Sequence, residues 1–289
     1  MRQVAETTAA AVDETAYAKI NLALHVRRRR TDGYHDIETI FAFAEDGDHL
    51  SIAAGPPSLE LSGPFAPALE IEKPGDNLVM RAATALARTL GKAEFPALRL
   101  DKRLPVAAGI GGGSADAAAA IRLLCRHLAG DLDDPAVMAL ARDLGADVPA
   151  CLASVTARGD IRGDRLTAMA AESLSGMPLL LVNPGLPLPT GPVFRAWDGS
   201  DRGPLAGGDP LSAALAGRND LEAPARTLCP ALGEMLDLLE RQPGAVLVRM
   251  SGSGATCFVL FDSTAQRDAA DAAVAAAHPN WWRLASRLR

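Results

Sequence analysis

The stretch PVAAGIGGGSADAAAA at residues 105–120 has the composition of a loop that can bind phosphate groups. Glycines let the backbone adopt positive φ angles and approach a ligand closely, and successive N–H groups can then form a concave anion-binding surface. The alanines that follow predict a helix over residues 114–129, whose N-terminus attracts negative charge. Ser114 could cap that helix or place its hydroxyl on a phosphate or its metal ion. The loop alone is equally compatible with a tight turn that packs a helix closely.

Two common nucleotide-binding loops do not fit this stretch. The pattern GxxxxGK[ST] requires a lysine directly before the serine, where Gly113 stands. The dinucleotide pattern GxGxxG, begun at Gly109, requires a glycine where Ser114 stands. A nicotinamide-dependent dehydrogenase is therefore disfavoured.

Lys19 is a second candidate for chemistry because it interrupts the apolar segment AYAKINLALHV at residues 16–26. The alternation of this segment predicts a strand, in which a buried lysine is costly unless a charged partner accompanies it. Asn21 lies two residues further on and so shares its face of the strand. An edge-strand lysine facing water is the alternative interpretation.

Asp147 is the third candidate and lies in the segment GADVP at residues 145–149. Gly145 is expected to end a helix, and Pro149 prevents its simple continuation. A carboxylate in such a bend can point into a site and act as a base, or it can cap a turn. The residues alone leave both interpretations open.

The elements that must position these residues follow no strict alternation of strand and helix, which predicts an α+β fold. We expect a flexible tail over residues 1–13, an N-terminal lobe over 14–160 and a C-terminal lobe over 161–289. The pattern predicts strands at 16–26, 97–105 and 177–185, two strands within 36–54 joined at Asp46–Gly47, and helices at 76–91, 114–129 and 134–144. Further on it predicts strand and turn at 151–165, helices within 218–244, strand–turn–strand at 245–262 and a helix at 263–278.

Composition narrows the class of protein. The 289 residues carry a formal net charge of -6, which argues against a nucleic-acid partner, and the arginine run at residues 27–30 is typical of a solvated turn. The four cysteines are widely spaced and predict free thiols in a reducing compartment rather than a zinc site. The N-terminus lacks the apolar core of a signal peptide, and no stretch reaches the roughly 18 apolar residues of a membrane span. We therefore expect a cytoplasmic protein without a membrane partner.

Five motifs together resemble the GHMP kinase superfamily, which includes galactokinase, homoserine kinase and mevalonate kinase. They are AKINLALHV, DGYH at residues 32–35, the glycine loop, LGADVP at 144–149 and MSGSGATCF at 250–258, in the order and spacing of the superfamily. The resemblance runs from about residue 16 to the C-terminus. It is strongest to the branch whose acceptor is a cytidine diphosphate-linked methylerythritol, in non-mevalonate isoprenoid synthesis.

The resemblance implies a two-lobed GHMP-kinase-like fold with the active site in the cleft between the lobes. It implies an ATP-dependent kinase that phosphorylates the 2-hydroxyl of that small-molecule acceptor. We expect Mg²⁺ to arrive on ATP, because no acidic metal-ligand set emerges from the sequence. The implied ATP-binding residues are Pro105, Val106, Ala107, Ala108, Gly109, Ile110, Gly111, Gly112, Gly113, Ser114 and Ala115.

The resemblance also implies individual roles. Asp147 would take the proton of the acceptor hydroxyl, with Lys19 beside it. The implied substrate-binding residues are Asn21, Tyr34 and Phe194, His35 at the cytosine edge, and Ser251 and Gly252 in the second glycine turn. Lys102, which precedes the loop, is a candidate contact for the diphosphate, although a solvent-exposed strand lysine fits its position as well.

Two segments depart from the superfamily pattern. Val106, Ala107 and Ala108 follow Pro105 where methionine or isoleucine and then glycine are usual, and RGDIRGD at 158–164 replaces a glycine-rich stretch. Another kinase of the superfamily, for homoserine or mevalonate, is an alternative that DGYH disfavours, because those acceptors carry no base to stack. A nucleotide-binding regulatory protein without catalysis is a further alternative, which the presence of Lys19 and Asp147 disfavours.

Overall fold

The computed structural model describes residues 13–71 and 75–289, so the predicted tail lies outside the described residues apart from Asp13, which begins the first strand. The described chain combines strands and helices as the predicted α+β class requires. The strands are β1 Asp13–Arg29, β2 His35–Ala53, β3 Leu59–Ser62, β4 Ala97–Asp101, β5 Ala157–Ile161, β6 Arg165–Ala168, β7 Pro178–Asn183, β8 Ala245–Met250, β9 Cys257–Phe261 and β10 Trp282–Arg287. The helices are α1 Ala66–Glu70, α2 Leu78–Thr89, α3 Gly112–Leu128, α4 Pro135–Leu144, α5 Val148–Ala153, α6 Thr190–Ala196, α7 Pro210–Ala216, α8 Glu222–Leu228, α9 Ala231–Glu240 and α10 Thr264–Ala277.

The strands form two sheets. In the first, the strand order is β3-β4-β2-β5-β6, with β1 paired to β2 along its length. In the second, the order is β10-β7-β9-β8, and every pair is antiparallel. The predicted lobe boundary at residue 160 falls inside the β5–β6 hairpin, and the pairing of both strands in the first sheet favours a boundary between β6 and β7.

The long β1–β2 hairpin connects the cores of the two lobes. Ala16 and Phe43 belong to the core beneath α2 and α3, whereas Leu24 and Ile37 belong to the core that the second sheet shares with α8 and α9. Burying apolar side chains in both cores fixes the hairpin at both ends. Lys19 lies between the two anchored ends, at the junction of the lobes.

The prediction of two strands joined at Asp46–Gly47 is wrong, because β2 runs unbroken from His35 to Ala53. Gly47 pairs with Tyr17 next to a shift in the register of β1 and β2. A Cβ atom at Gly47 would lie only 1.9 Å from the carbonyl oxygen of Ala16. The glycine therefore permits a close approach of two strands rather than a turn.

Helix α3 lies at the centre of the first lobe, and the alanines that predicted it explain its placement. Residues 115–121 are all buried, since small side chains let the helix pack closely on β1, β2 and α2. The helix begins at Gly112, two residues earlier than predicted. Elements α1, α5, α6, α7, β6 and β10 were not predicted, and they are short or lie at the end of the chain. The prediction of strand and turn over residues 151–165 is wrong at its start, where residues 151–153 belong to α5.

Candidate active site

A cavity of about 690 Å³ opens between the two lobes. From the first lobe it is lined by Lys19, the glycine loop and Asp147, and from the second by α6 and the turn after β8. Concave sites at the junction of two lobes are where small molecules usually bind. The predicted cleft thus exists, and its walls come from segments far apart in the sequence.

The glycine loop forms one wall of this cavity in a backbone conformation that needs glycine. Gly109 and Gly111 have φ angles of 76° and 64°. A Cβ atom at Gly109 would lie 2.5 Å from the carbonyl oxygen of Ser251, so the two lobes touch through bare backbone there. Gly111 precedes the first residue of α3, and no side chain caps that helix end. The first N–H groups of the helix therefore remain available to an anion in the cavity.

Seven of the predicted ATP-binding residues line the cavity and four do not. The lining residues are Ala107, Ala108, Gly109, Gly111, Gly112, Gly113 and Ser114; Pro105, Val106, Ile110 and Ala115 are not among them. The Ile110 side chain is buried in the core, and its carbonyl oxygen accepts a 3.0 Å hydrogen bond from the Lys19 backbone. The structure excludes the interpretation of Ser114 as a helix cap, because Ser114 lies within the first turn of α3. Its side chain faces the cavity instead.

The prediction that Lys102 contacts the diphosphate is wrong in this structure. The residue is 1% exposed and is not among those lining the cavity. Its Nζ lies 2.5 Å from Oδ2 of Asp48 and 2.7 Å from Oδ2 of Asp116, and these three residues form a buried ion cluster. A Cβ atom at Gly112 would lie 3.1 Å from that Nζ. The ammonium therefore supports the loop from beneath.

The ion cluster also fixes the chain that leads into the loop. Oδ1 of Asp48 accepts hydrogen bonds from the backbone N–H groups of Arg103 and Leu104. Burial, against the opposing charge of Lys102, raises the pKa of the Asp116 carboxyl to about 7, and its Oδ1 has no hydrogen-bond partner. Although burial opposes it, the two carboxylates raise the pKa of the Lys102 ammonium. Burial thus disfavours the charged form of Asp116, and the Lys102 ammonium favours it.

Lys19 and Asp147 form an ion pair on the floor of the cavity, with 3.2 Å between Nζ and Oδ2. The Lys19 side chain is 4% exposed, and that of Asp147 is 38% exposed. Asp147 directly precedes α5, yet its side chain makes no capping hydrogen bond. The capping interpretation of this aspartate is therefore excluded by the structure. Its carboxylate faces the cavity beside a cation.

A chain of buried hydrogen bonds holds the Lys19 ammonium in place. Its Nζ donates to Oδ1 of Asn21 at 2.8 Å, and Nδ2 of Asn21 donates to the Thr39 hydroxyl at 2.8 Å. The Asn21 backbone donates to Oγ of Ser251, which donates to the carbonyl oxygen of Gly109. Satisfied buried networks of this kind are rigid. Ser251 is fully buried and thus supports the site without lining it.

Asn219, which was not predicted as a site residue, holds the turn that contains Ser251. Nδ2 of Asn219 donates to the carbonyl oxygens of Met250 and Gly252, both at 2.8 Å. The backbone of Leu24 exchanges hydrogen bonds with the Arg218–Asp220 segment. Asn219 thereby links the second glycine turn, and with it cavity-lining Gly252, to strand β1.

The far end of the cavity is aromatic. Tyr34 is 53% exposed and lines the cavity together with His35 and Phe194, as predicted for three substrate contacts. The rings of His35 and Phe194 are 5.0 Å apart, and Trp197 packs against His35 edge-on at 5.8 Å. Nε2 of His35 is buried without a hydrogen-bond partner. Burial, and secondarily the charge of Arg29, lowers the pKa of His35, so the neutral imidazole is favoured there.

Several residues that line the cavity were not predicted from the sequence motifs. Arg162 belongs to the RGDIRGD segment, which attracted attention only as a departure from the superfamily pattern. Thr190, Gly191 and Arg195 belong to α6, a short helix that no periodicity predicts. Ile37 and Leu78 also lie outside the motifs, whereas Leu24, Gly33, Ala146 and Ser253 lie within them and were not predicted as site residues.

Within residues 13–71 and 75–289, no group of three or more His, Cys, Asp or Glu side chains is arranged to hold a metal ion. The donors near the glycine loop are the Ser114 hydroxyl and the helix N–H groups. N–H groups suit phosphate oxygens, and a hydroxyl can in addition bind a cation carried on those phosphates. No helix in the described part of the chain is long and apolar enough to cross a membrane.

Comparison with protein-family models gives two matches. The model of the GHMP kinases N terminal domain matches residues 77–154, which include the glycine loop and Asp147. The model of the GHMP kinases C terminal region matches residues 208–280, which include the second glycine turn. Lys19, Tyr34 and Phe194 line the cavity outside the two matched ranges.

Curated relatives match over nearly their whole length. A protein of Rhizorhabdus wittichii named 4-diphosphocytidyl-2-C-methyl-D-erythritol kinase is 70% identical over 276 residues, which cover 96% of this chain and 94% of that protein. A protein of Sphingopyxis alaskensis with the same name is 52% identical over 285 residues, with 97% and 99% covered.

Solved structures agree with these matches. A crystal structure of 4-(cytidine 5'-diphospho)-2C-methyl-D-erythritol kinase is 34% identical, with a TM-score of 0.78 and coverage of 96% of this chain and 98% of that one. The homoserine kinase of Cytophaga hutchinsonii has a TM-score of 0.69 at 14% identity, over 99% of this chain and 98% of that one. This second likeness concerns the fold alone.

Proposed function

Because the chain belongs to the GHMP kinase family, in the branch of the 4-diphosphocytidyl-2-C-methyl-D-erythritol kinases, we propose that Asp147 and Lys19 carry its phosphoryl transfer. The family activity is ATP-dependent phosphorylation of a small-molecule alcohol. The observation that supports these two roles is the ion pair at 3.2 Å, which faces the same cavity as the glycine loop.

The ATP phosphates bind at the glycine loop and the start of α3. The open N–H groups of that helix and the positive end of its dipole stabilise phosphate charge. Mg²⁺ bound to ATP would neutralise part of that charge, and the Ser114 hydroxyl would be the oxygen ligand that this chain offers to it. Backbone N–H groups make most of the contacts to the phosphates, because the loop lines the cavity mainly with glycine and alanine.

The acceptor hydroxyl binds between this loop and the ion pair. Asp147 accepts the proton of the 2-hydroxyl as its oxygen forms a bond to the γ-phosphorus, and the bond from that phosphorus to the β–γ bridging oxygen breaks. ADP leaves with the electron pair of that bond. The Lys19 ammonium stabilises the negative charge that develops on the acceptor oxygen. Asn21 and Thr39 keep the ammonium in place during this step.

The cytidine end of the acceptor binds at the aromatic end of the cavity. Tyr34 and Phe194 offer rings on which the base can stack, and stacking on an aromatic ring contributes about 1–3 kcal/mol per base. The unpartnered Nε2 of His35 offers a hydrogen bond to the edge of the base. A cavity with a phosphate loop at one end and these rings at the other fits an acceptor that carries a nucleobase.

The test is to measure ADP release from MgATP with three acceptors in parallel: 4-diphosphocytidyl-2-C-methyl-D-erythritol, mevalonate and homoserine. We expect turnover with the cytidyl acceptor alone. In Asp147→Asn we expect kcat to fall by about 10²–10⁴, the usual contribution of a positioned base. Asp143→Asn is the matched control, because that exposed aspartate lies on α4 outside the cavity.

Each other outcome decides between the alternatives. Turnover with homoserine or mevalonate would contradict the role given to the aromatic end. Full activity of Asp147→Asn would show that the base lies elsewhere. Tight ATP binding without turnover of any acceptor would favour a nucleotide-binding protein that has lost catalysis.

A further inference from the structure

The tip of the β5–β6 hairpin, residues 161–164, brings a cation into the aromatic end of the cavity. Strand β5 pairs with the start of β2, so that Ile161 lies opposite Ile37. The hairpin tip therefore stands beside the DGYH turn that precedes β2. Arg162 at this tip lines the cavity.

Arg162 has two partners, and they hold it in one place. Its guanidinium carbon lies 5.3 Å from the centre of the Tyr34 ring, within the range of a cation–π interaction. Its Nε donates to Oδ2 of Asp164 at 3.0 Å, and the Asp164 side chain is only 13% exposed. The guanidinium thus contacts both the Asp164 carboxylate and the Tyr34 ring.

The backbone of the hairpin tip is strained. Ile161 has a φ angle of +65°, a conformation that is a genuine outlier for a β-branched residue. The turn is tightened by a 3.0 Å hydrogen bond from the Gly163 N–H to the Asp160 carbonyl. Gly163 cannot move inward, because Phe41 and Ile37 lie directly beneath it. Strain of this kind persists only where the surrounding structure holds the residue in place, and Ile161 directly precedes Arg162.

Tyr34 needs such support. Its backbone is held by a 3.1 Å hydrogen bond to the Asp32 carboxylate, but its side chain stands on a turn and is half exposed. An exposed ring must lose rotamer freedom when a base stacks on it, and that loss weakens binding. A neighbouring group that already holds the ring in place reduces this entropy cost before the base binds.

We propose that Arg162 is a positioning residue for Tyr34, which holds the ring with one face against the guanidinium and the other free for the cytosine. This inference rests on the proposed role of Tyr34 in stacking. It predicts that Arg162 acts on the affinity for the base through Tyr34 and on no other step. Replacement of Arg162 then raises the KM of the acceptor and leaves kcat and the KM of ATP unchanged.

The experiment measures the affinity of cytidine and of cytidine diphosphate by calorimetry in a double-mutant cycle. The variants are Arg162→Gln, Tyr34→Leu and the two combined, with Arg162→Lys as the conservative change. We expect Arg162→Gln to weaken both ligands by the same factor of about two to five, the size of an exposed cation–π interaction. Tyr34→Leu should weaken both by roughly five- to a hundredfold, and Arg162→Gln should then add nothing. Arg162→Lys should recover part of the affinity.

Arg165→Gln is the matched control. Arg165 lies on the same hairpin and is 68% exposed, but it pairs with Asp160 and does not line this cavity. We expect its variant to bind cytidine as the unmodified protein does. Thermal unfolding of every variant shows that the hairpin remains folded.

Three results would overturn the proposal. A loss for cytidine diphosphate without a loss for cytidine would make Arg162 a phosphate ligand. An equal loss in the Tyr34→Leu background would show that Arg162 does not act through the ring. If Arg162→Gln binds cytidine as tightly as the unmodified protein does, while Tyr34→Leu binds it more weakly, the positioning role of Arg162 fails and the stacking role of Tyr34 stands. If Tyr34→Leu itself binds cytidine normally, the stacking role in the proposed function fails, which is a distinct result.

Discussion

The two ends of the cavity are built in opposite ways. At the glycine-loop end, the ligand surface is backbone, and a buried ion cluster of Asp48, Lys102 and Asp116 lies beneath it. At the aromatic end, the surface consists of side chains on turns, of which Tyr34 and Arg162 are partly exposed. The first end is fixed by folding itself. The second is fixed by a few contacts among the ligand-binding side chains.

This difference separates stability from affinity. Residues beneath the glycine loop do not line the cavity, so their replacement should mainly lower the free energy of unfolding. Tyr34 and Arg162 at the aromatic end lie outside the cores of the two lobes, so their replacement should change the affinity for the acceptor more than the free energy of unfolding. Substitutions at each end test that separation.

Lys102→Met should destabilise the protein by about 3–5 kcal/mol, because it leaves two buried carboxylates around an uncharged side chain. The free energy of unfolding, from urea denaturation, measures this effect. Lys92→Met is the matched control, since Lys92 is exposed and should change stability by less than about 0.5 kcal/mol. A stable Lys102→Met variant that binds ATP weakly would contradict the separation and restore a direct ligand role for this lysine.

His35→Phe should have the reverse effect. The phenylalanine ring keeps the packing against Phe194 and Trp197 and removes a buried nitrogen that lacks a partner, so stability should be unchanged or higher. The acceptor loses one hydrogen bond, and its KM should rise by roughly three- to tenfold at constant kcat. Steady-state kinetics with varied acceptor measures this change. A fall in kcat at constant KM would place His35 in the transfer step and contradict its assignment to the base.

The sequence predicted the residues of this site where their chemistry depends on local spacing. The glycine loop leads into a helix, and Lys19 and Asn21 share a strand face, so both features follow from adjacent residues. That Lys19 meets Asp147 depends on how β1 packs against α5, and only the family resemblance brought the two together. The order of the main strands and helices was likewise predictable, because apolar periodicity is a local property.

Predictions from the sequence failed where the role of a residue depends on a partner elsewhere in the chain. Asp46–Gly47 has the composition of a turn, but Ala16 on the neighbouring strand makes the glycine a point of close approach. Lys102 stands next to the loop in the chain, but Asp48 and Asp116 draw it beneath the loop. Arg162 gave no signal because its partner Tyr34 is more than a hundred residues away. These three cases share one cause, which is that the deciding neighbour is brought close by the fold and is not adjacent in the sequence.

The smallest expected effect tests how firmly the glycine-loop end is fixed. Ala107 has a φ angle of +52°, a left-handed conformation that costs a residue with a Cβ about 1 kcal/mol. Ala107→Gly removes this strain but adds freedom to the unfolded chain, so the net gain in unfolding free energy should be below about 1 kcal/mol. Because Ala107 lines the cavity, the KM of ATP reports whether the loop keeps its shape. An unchanged KM would show that the ion cluster and α3 determine the loop conformation. A raised KM would show that the alanine itself holds the loop in its binding conformation, and the glycine-loop end would then depend on a ligand-facing side chain just as the aromatic end does.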